Sequence, residues 1–254
     1  MDIIILGAGT GIPIADFSSP SLALLTENRC ALFDIGPGTL HRLIKADINF
    51  VNIDNIFITH FHPDHTADLV HLLFATRNPE VLEKKRPFTI TGPAGIKTLI
   101  HKLEDAYDNW LSLPSGLLNI VELDVEKMEK IEYPDFVILS KHIIHSEKSI
   151  AYRVKDNAGK TFVYSGDTGY CDEIIDLAYD SDLLVLECSF PDEKNIEGHL
   201  TPSLAGKIAH QAMAKKLALV HFYPEVLKTD IKNTCGKIYK GEIILGRDFM
   251  HISV

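Results

Sequence analysis

The sequence predicts an α/β protein built as a four-layer αββα sandwich, in which two stacked mixed β-sheets are flanked by helices. The first observation is that each half of the chain gives strands and then helices, the order expected for this architecture. The second is that short polar segments follow several of the apolar strands. The length of 254 residues suits one large domain or two small ones. We predict a single domain over residues 1–254.

The composition is that of a soluble globular protein. Hydrophobic residues make up 46% and charged residues 24% of the chain, which are ordinary proportions. No apolar run approaches the roughly 20 residues of a membrane span, so we expect no membrane partner. The first residues, Met1–Gly7, read as a strand rather than as a signal peptide. The cysteines are widely spaced and form no CxxC pair, which predicts reduced thiols in a cytoplasmic protein: Cys30, Cys171, Cys188 and Cys235.

The chain opens with a strand, Asp2–Leu6, and a glycine-rich loop, Gly7–Pro13. A dinucleotide site needs such a loop to open directly into a helix, whereas the segment 13–20 is not helical. We therefore predict no nucleotide site here. A hairpin follows, formed by Ser21–Thr26 and Cys30–Ile35.

Asp34 lies at the end of this hairpin, where a carboxylate without a partner would be costly. Two interpretations are open. Asp34 either forms the turn at Gly36, or it holds a metal-bound histidine in place. A short helix over Thr39–Ala46 comes next.

The segment Thr59–Thr66 contains the densest group of candidate ligands: His60, His62, Asp64 and His65. It lies between an apolar strand, Ile53–Ile58, and a helix predicted over Thr66–Arg77. In extended backbone His60 and His62 project to the same side, and Asp64 and His65 can face a second point after a turn. Imidazole and carboxylate are the usual ligands of zinc, iron and manganese. The sequence therefore predicts a metal site, and a plain histidine-rich surface loop is the disfavoured alternative.

The middle of the chain gives a strand at Phe88–Gly92, a helix predicted over Pro93–Trp110 and a strand at Phe136–Ser140. His142 and His145 follow. They point to opposite faces in extended backbone, so at most one of them is expected to be a ligand.

The second half repeats the pattern of polar residues at strand ends. Asp167, between two glycines after Thr161–Ser165, is either a ligand or a turn residue. Glu187 ends a buried strand and its role is open. His199 precedes a helix with Thr201 as N-cap and Pro202 at its first position, so it could cap that helix or be functional. His221 follows Lys216–Val220, where α/β proteins place ligands. Met250–Val254 closes the chain as an edge strand.

The run His60-Phe61-His62-Pro63-Asp64-His65 resembles the HxHxDH signature of the metallo-β-lactamase superfamily. The glycine-rich opening, His145 before a strand ending in Tyr-Arg, Gly166-Asp167-Thr168, His199 and His221 resemble the ribonuclease Z-like branch, so the resemblance spans nearly the whole chain. It implies the αββα fold with one metal on His60, His62 and His145. A second metal would bind Asp64, His65 and His221, and Asp167 would bridge the two. The family also has an aspartate at the position of Asp34, which favours a role beside a metal-bound histidine.

The resemblance implies a dinuclear hydrolase that uses a metal-bridging hydroxide, with Zn²⁺ expected first and Mn²⁺ or Fe fitting the same ligands. Asp64 and His199 are the predicted catalytic residues. His199 would not bind metal, and it would stabilise developing charge or protonate the leaving oxygen. Ribonuclease Z-like proteins are often dimers, which suggests a homodimer.

Two features separate this chain from ribonuclease Z. That enzyme carries a flexible arm, rich in glycine and basic residues, that grips tRNA, whereas only a compact hairpin lies between His145 and Gly166 here. The net charge of −10 also disfavours a polyanion, although a local basic patch could still bind one. We therefore expect a phosphodiesterase that acts on a small or short substrate, with RNA as a less favoured partner. The alternatives are ribonuclease Z-type tRNA 3′ processing, a lactonase or thioesterase, and a non-catalytic metal-binding protein.

Overall fold

In a computed structural model, which describes residues 1–194 and 196–254, the chain forms two mixed β-sheets of seven strands each. The strands of the first sheet are β1 (Asp2–Gly7), β2 (Ser21–Leu25), β3 (Cys30–Phe33), β4 (Ile53–Phe57), β5 (Phe88–Pro93), β6 (Leu118–Leu123) and β14 (Met250–Ser253). Those of the second are β7 (Glu129–Glu132), β8 (Phe136–His142), β9 (Ile150–Asp156), β10 (Thr161–Tyr164), β11 (Leu183–Glu187), β12 (Lys216–Val220) and β13 (Glu242–Leu245).

Each sheet joins an antiparallel part to a parallel part. The first has the order β14-β1-β2-β3-β4-β5-β6, and its strands from β3 to β6 run parallel. The second has the order β13-β12-β11-β10-β9-β8-β7, and its strands from β10 to β13 run parallel. The carboxyl ends of the parallel strands are where ligand-binding loops of α/β proteins gather.

Eight helices connect the strands in the described part of the chain: α1 (Thr39–Lys45), α2 (Pro63–Thr66), α3 (Asp68–Thr76), α4 (Pro79–Leu82), α5 (Ile96–Ala106), α6 (Asp172–Leu177), α7 (Pro202–Gln211) and α8 (Ile231–Gly236). Short 3₁₀ turns occur at Phe50–Asn52 and Val226–Lys228. No helix of the described ranges is long and apolar enough to cross a membrane.

Three apolar clusters hold the layers together. In β1, Ile3 and Ile5 face the cluster between the two sheets, whereas Ile4 and Leu6 face the cluster under α1, α3 and α5. This alternation follows from the two-residue period of a strand, and both faces are apolar because both are covered. The third cluster packs α6, α7 and α8 on the second sheet. The predicted αββα sandwich is confirmed.

The local differences from the predicted elements have physical causes. The helix predicted over Pro93–Trp110 was wrong at both ends, because Pro93 pairs with Leu123 as the last residue of β5 and α5 spans only Ile96–Ala106. The helix predicted over Thr66–Arg77 corresponds to α3, which begins at Asp68 because Thr66 is the last residue of the short helix α2. The sequence pattern did not indicate β6, β7 or β13. The predicted edge strand is confirmed as β14, and the four cysteines are free and buried.

Candidate metal centre

The candidate ligands gather at one edge of the sandwich. The segment from His60 to His65 follows β4, Asp167 follows β10 and His221 follows β12, so three of the contributing loops leave the carboxyl ends of parallel strands. His145 lies in the loop between β8 and β9. The fold therefore brings together side chains that are up to 161 positions apart in sequence, because the two sheets present these loops to each other.

One group of donor atoms comprises His60, His62, His145 and Asp167. Nδ1 of His62 lies 3.1 Å from Nε2 of His60 and 3.1 Å from Nε2 of His145. Oδ2 of Asp167 lies 3.8 Å and 3.7 Å from the same two Nε2 atoms. Three imidazoles and one carboxylate oxygen thus surround one point.

A second group comprises Asp64, His65 and His221, and it faces the other oxygen of Asp167. Nε2 of His65 and Nε2 of His221 each lie 3.2 Å from Oδ1 of Asp167. Oδ2 of Asp64 lies 3.9 Å from His65 Nε2 and 3.5 Å from His221 Nε2. Each oxygen of Asp167 therefore faces one of the two groups.

The buried donor atoms fit a cation better than they fit one another. His65 Nε2, Asp167 Oδ1 and His221 Nε2 are fully buried and make no hydrogen bond. A buried polar atom without a partner costs about 1–3 kcal/mol. Donors around a tetrahedral ion with bonds of 2.0–2.2 Å would lie about 3.3–3.6 Å apart, close to the separations found here. The clustered histidines and aspartates therefore suit divalent metal ions.

The second nitrogen of four of these histidines is held by a partner. Nδ1 of His65 lies 2.7 Å from Asp34 Oδ2, and Nδ1 of His60 lies 3.0 Å from Thr59 Oγ1. Nδ1 of His145 faces the Gly198 carbonyl oxygen at 2.9 Å, and Nδ1 of His221 faces Ser189 Oγ at 2.9 Å. Such partners fix the tautomer and the ring plane, so the remaining nitrogen presents its lone pair to the centre.

The carboxylate of Asp34 makes several hydrogen bonds next to the second group. Its fully buried carboxylate accepts hydrogen bonds from Thr59 N at 2.8 Å and from the Tyr164 hydroxyl at 3.0 Å, in addition to its contact with His65. Its backbone has φ of 58°, a left-handed conformation that aspartate tolerates better than most residues. Of the two interpretations left open by the sequence, the contact with a candidate ligand is the one observed.

His199 lies beside the centre and is held by Glu187. Its Nδ1 lies 2.8 Å from Oε1 of the buried Glu187, which also accepts from Thr168 N and Leu200 N. A ring nitrogen of His199 lies within 4.8 Å of the donor atoms of Asp167 and His221. The N-terminus of α7 is capped by the Thr201 side chain, so His199 is not needed as its cap.

The charges in the site favour cation binding. Burial lowers the pKa of His60 well below its usual value and also lowers that of His145, which keeps both rings neutral. Burial would raise the pKa of Asp167, but His221 and His65 hold it well below the usual range, so the carboxylate stays ionised. Neutral imidazole and ionised carboxylate are the forms that bind a metal.

His199 differs from His60 and His145 in the direction of its pKa shift. Burial would lower its pKa, but the hydrogen bond to Glu187 outweighs burial and raises it. The protonated form of His199 is therefore favoured, as a proton donor requires.

All eight residues predicted as ligands or catalytic groups lie in this one centre: His60, His62, Asp64, His65, His145, Asp167, His199 and His221. His142 ends β8 and belongs to none of the described metal-type groups. The sequence pattern did not indicate Thr59, Ser189 or Tyr164 as part of the site. Thr59 adjoins His60, and Ser189 lies two positions beyond Glu187. A search for hydroxyls beside the strand-end ligands could have found these two, whereas Tyr164 gives no such signal.

Comparison with known proteins agrees with the fold. The family described as "Beta-lactamase superfamily domain" matches residues 29–222. Ribonuclease Z of Bacillus subtilis (strain 168) is 28% identical over 313 aligned positions, which cover 100% of this chain and 99% of that protein. The metallo-beta-lactamase fold protein YhfI from Bacillus subtilis superposes with a TM-score of 0.87 at 23% identity, covering 99% of this chain and 98% of that one. The short form of human tRNase Z superposes with a TM-score of 0.79 at 25% identity, covering 100% and 99%.

Proposed function

The chain belongs to the β-lactamase superfamily of metal-dependent hydrolases, and we propose that it is a dinuclear phosphodiesterase acting on a small or short phosphodiester. The observation that carries this proposal is the position of Asp167. Each of its carboxylate oxygens faces a separate group of three further donors. That arrangement suits two ions that share one carboxylate.

The proposed ligands are His60, His62 and His145 for one ion, and Asp64, His65 and His221 for the other, with Asp167 shared. Two divalent ions held here would supply positive charge for the phosphate oxygens and an activated water. Zn²⁺ suits this set of histidines and aspartates, and Mn²⁺ or Fe²⁺ suits the same donors.

His199 supplies the proton in this proposal. Glu187 occupies its Nδ1, which leaves Nε2 for the substrate. The hydrogen bond to Glu187 raises the pKa of His199, which favours a proton on the ring, and that proton would pass to the leaving oxygen as the phosphorus–oxygen bond breaks. Asp64 is proposed to act with the second metal group, since its Oδ2 lies 3.5 Å from His221 Nε2.

The preference for a small substrate has two supports. The alignment with the Bacillus subtilis ribonuclease Z is 313 positions long against a chain of 254 residues, so at least 59 positions of that protein have no counterpart here. The net charge of −10 also disfavours the approach of a long polyanion. Ribonuclease Z-type processing of tRNA precursors is the second candidate, because relatives over the full chain carry that name.

The test uses protein loaded with Zn²⁺ or Mn²⁺ and assayed on bis-p-nitrophenyl phosphate, a lactone, a thioester and a tRNA precursor. We expect turnover of the phosphodiester that is lost in Asp167→Ala and retained in Asp105→Ala, a change at an exposed carboxylate on α5. Turnover of the tRNA precursor alone would favour ribonuclease Z activity. Turnover of the lactone or thioester alone would replace the proposal with a carboxyl hydrolase. Bound metal with no turnover would indicate a metal-binding protein.

A further inference from the structure

Two aromatic residues meet beside His199 because of the register of two parallel strands. β11 and β12 pair with Glu187 opposite Val220. The alignment continues past the strands, since Cys188 N donates to the Val220 carbonyl oxygen at 2.8 Å. Phe190 and Tyr223 each lie three residues beyond the end of their strand. Their rings stack with centroids 4.7 Å apart and an interplanar angle of 19°.

Both rings stand nearly perpendicular to the imidazole of His199. The centroid of Phe190 lies 5.4 Å from that of His199 at an angle of 77°. The centroid of Tyr223 lies 6.3 Å away at 78°. Edge-to-face contacts of this kind are favourable. Tyr223 also stands at 73° to His221, with centroids 5.8 Å apart, so it contacts the candidate metal ligand as well.

The aromatic pair also contacts Lys194, which forms an ion pair with Glu225. Nζ of Lys194 lies 5.2 Å from the centroid of Phe190, and the same ammonium group pairs with both oxygens of Glu225, at 3.0 Å and 2.8 Å. Glu225 follows Tyr223 by two residues, so this ion pair links the two loops that carry the rings. Phe190 is therefore in contact with the ammonium group of Lys194 as well as with the ring of Tyr223.

We propose that Tyr223, held by Phe190, is a positioning residue that fixes the ring plane of His199 during phosphodiester hydrolysis. The inference rests on the proposed function. The hydrogen bond that His199 donates to Glu187 fixes one atom of the imidazole, and the ring of His145 contacts it with centroids 4.8 Å apart at 69°. Phe190 and Tyr223 contact the imidazole from the two loops beyond β11 and β12, and they limit rotation of its plane about that hydrogen bond. A proton donor displaced by about 1 Å can lose on the order of 100-fold in rate, so control of the plane has a large effect.

The step that depends on this geometry is breakage of the bond between phosphorus and the leaving oxygen. Water adds its oxygen to phosphorus, and the electron pair of the broken bond stays on the leaving oxygen. That oxygen takes the proton from Nε2 of His199, and the proton released by the attacking water returns the protein to its starting charge. The products are a phosphomonoester and an alcohol or phenol.

The experiment compares aryl methyl phosphates whose leaving phenols become progressively less acidic, from p-nitrophenyl to p-chlorophenyl to phenyl. A strongly acidic phenol leaves without a proton, whereas a weakly acidic one needs the proton donor. We expect His199→Ala to lose about 100-fold or more in kcat on the phenyl ester and under about 3-fold on the p-nitrophenyl ester. Tyr223→Leu should show the same gradient, that is, a loss in kcat that grows from the p-nitrophenyl to the phenyl ester. We expect about 10–100-fold to be lost on the phenyl ester, with KM nearly unchanged.

Two matched variants separate positioning from other roles. Tyr223→Phe keeps the ring and should stay within about 3-fold of the wild type on every ester. Tyr133→Leu removes a half-buried tyrosine that packs on Phe136 at 4.9 Å, away from His199, and should show no gradient. Loss of activity in Tyr223→Phe equal to that in Tyr223→Leu would overturn the inference in favour of a role for the hydroxyl. An equal loss on all esters in Tyr223→Leu would also overturn it.

A readout that needs no activity separates this inference from the proposed function. The imidazole resonances of His199, identified by their loss in His199→Ala, should shift in Tyr223→Leu and stay in place in Tyr133→Leu. If His199→Ala shows the leaving-group gradient and Tyr223→Leu does not, the inference fails while the proposed function stands. If the wild-type protein hydrolyses no phosphodiester, the proposed function fails, and unshifted resonances in Tyr223→Leu would reject the contact as well.

Discussion

Asp34 Oδ2 lies 2.7 Å from Nδ1 of His65, and both side chains are fully buried. The contact joins a residue at the end of one strand to a candidate ligand 31 positions later. It explains why a carboxylate is retained at the apolar end of β3. Burial lowers the pKa of His65, but Asp167 and Asp34 outweigh burial and raise it well above the usual value. A bound ion would replace the proton on Nε2, which faces Asp167, whereas Nδ1 would keep the proton that faces Asp34.

Replacement of Asp34 by asparagine should weaken metal binding. Asparagine tolerates the left-handed backbone at this position, so the change isolates the charge and the acceptor oxygens. We expect the metal affinity to fall about 10–100-fold, since the partner that orients His65 is altered. The measurement is metal titration in competition with a chelator. Asp135→Asn is the control, because the Asp135 carboxylate accepts a hydrogen bond from the Thr26 hydroxyl at 2.7 Å. Unchanged affinity in Asp34→Asn would show that Asp34 does not support the centre.

Alanine at Gly166 should damage the site through Thr59. Gly166 has φ of 62°, and an added Cβ would lie 2.6 Å from Cβ and Oγ1 of Thr59. The Thr59 side chain is hydrogen-bonded to both Asp34 and His60. Its displacement would therefore disturb both groups of candidate metal ligands. Gly159→Ala is the matched control, because Gly159 has φ of 84° and nothing within 4 Å of an added Cβ.

Both glycine variants carry the left-handed strain of about 1–2 kcal/mol. Only Gly166→Ala should lose further stability and metal affinity, measured by denaturant unfolding and metal titration. If the two variants lose stability equally and both bind metal normally, the predicted contact between position 166 and Thr59 is not significant.

Lys85 should make stability depend on pH. Its ammonium group is buried and donates to the carbonyl oxygens of Val51 and Ile53 at 3.1 Å and 2.6 Å. Burial lowers the pKa of Lys85 from 10.5 to about 8, although the neighbouring Asp54 opposes this shift. Between those values the unfolded chain binds the proton and the folded protein does not. Stability therefore rises with pH across this window, and the cost of charge burial is fully present below pH 8.

The comparison of wild type with Lys85→Met isolates this effect. From pH 8 to 10.5 the wild type should gain up to about 3 kcal/mol relative to the variant, measured as the free energy of unfolding. Lys84→Met changes the exposed neighbouring position and keeps Lys85. The difference in free energy of unfolding between the wild type and Lys84→Met should therefore be constant over the same pH range. A difference between wild type and Lys85→Met that is constant with pH would mean that Lys85 titrates near its ordinary value.

The sequence predicted the parts of the site that depend on short-range pattern. His60 to His65 lie within six positions between a strand and a helix, so spacing alone indicated a metal loop. For His145 the spacing argument only excluded joint ligation with His142, and resemblance to the family made the choice. The contacts that orient the ligands could not be predicted in this way, because Ser189 and His221 meet only when β11 and β12 pair in register.

The fold was predicted at the level of layers but not of every element. The order of strands and then helices in each half of the chain was sufficient to predict the αββα sandwich. The edge strand β7 has the sequence Glu-Lys-Ile-Glu, whose charged residues do not resemble a buried strand. At Pro93 the helix-start signal was outweighed by pairing with β6, and the turn at Gly95, with φ of 109°, delays the start of α5. Such tertiary pairing is not encoded in local propensity.

Anomalous X-ray diffraction from zinc-loaded crystals would show directly whether two metal ions share Asp167. We predict two anomalous peaks per chain about 3.5–4 Å apart, with one oxygen of Asp167 on each ion. His60, His62 and His145 should surround one peak, and Asp64, His65 and His221 the other. A single peak at full occupancy, or a second peak away from Asp167, would contradict the dinuclear centre and the mechanism built on it.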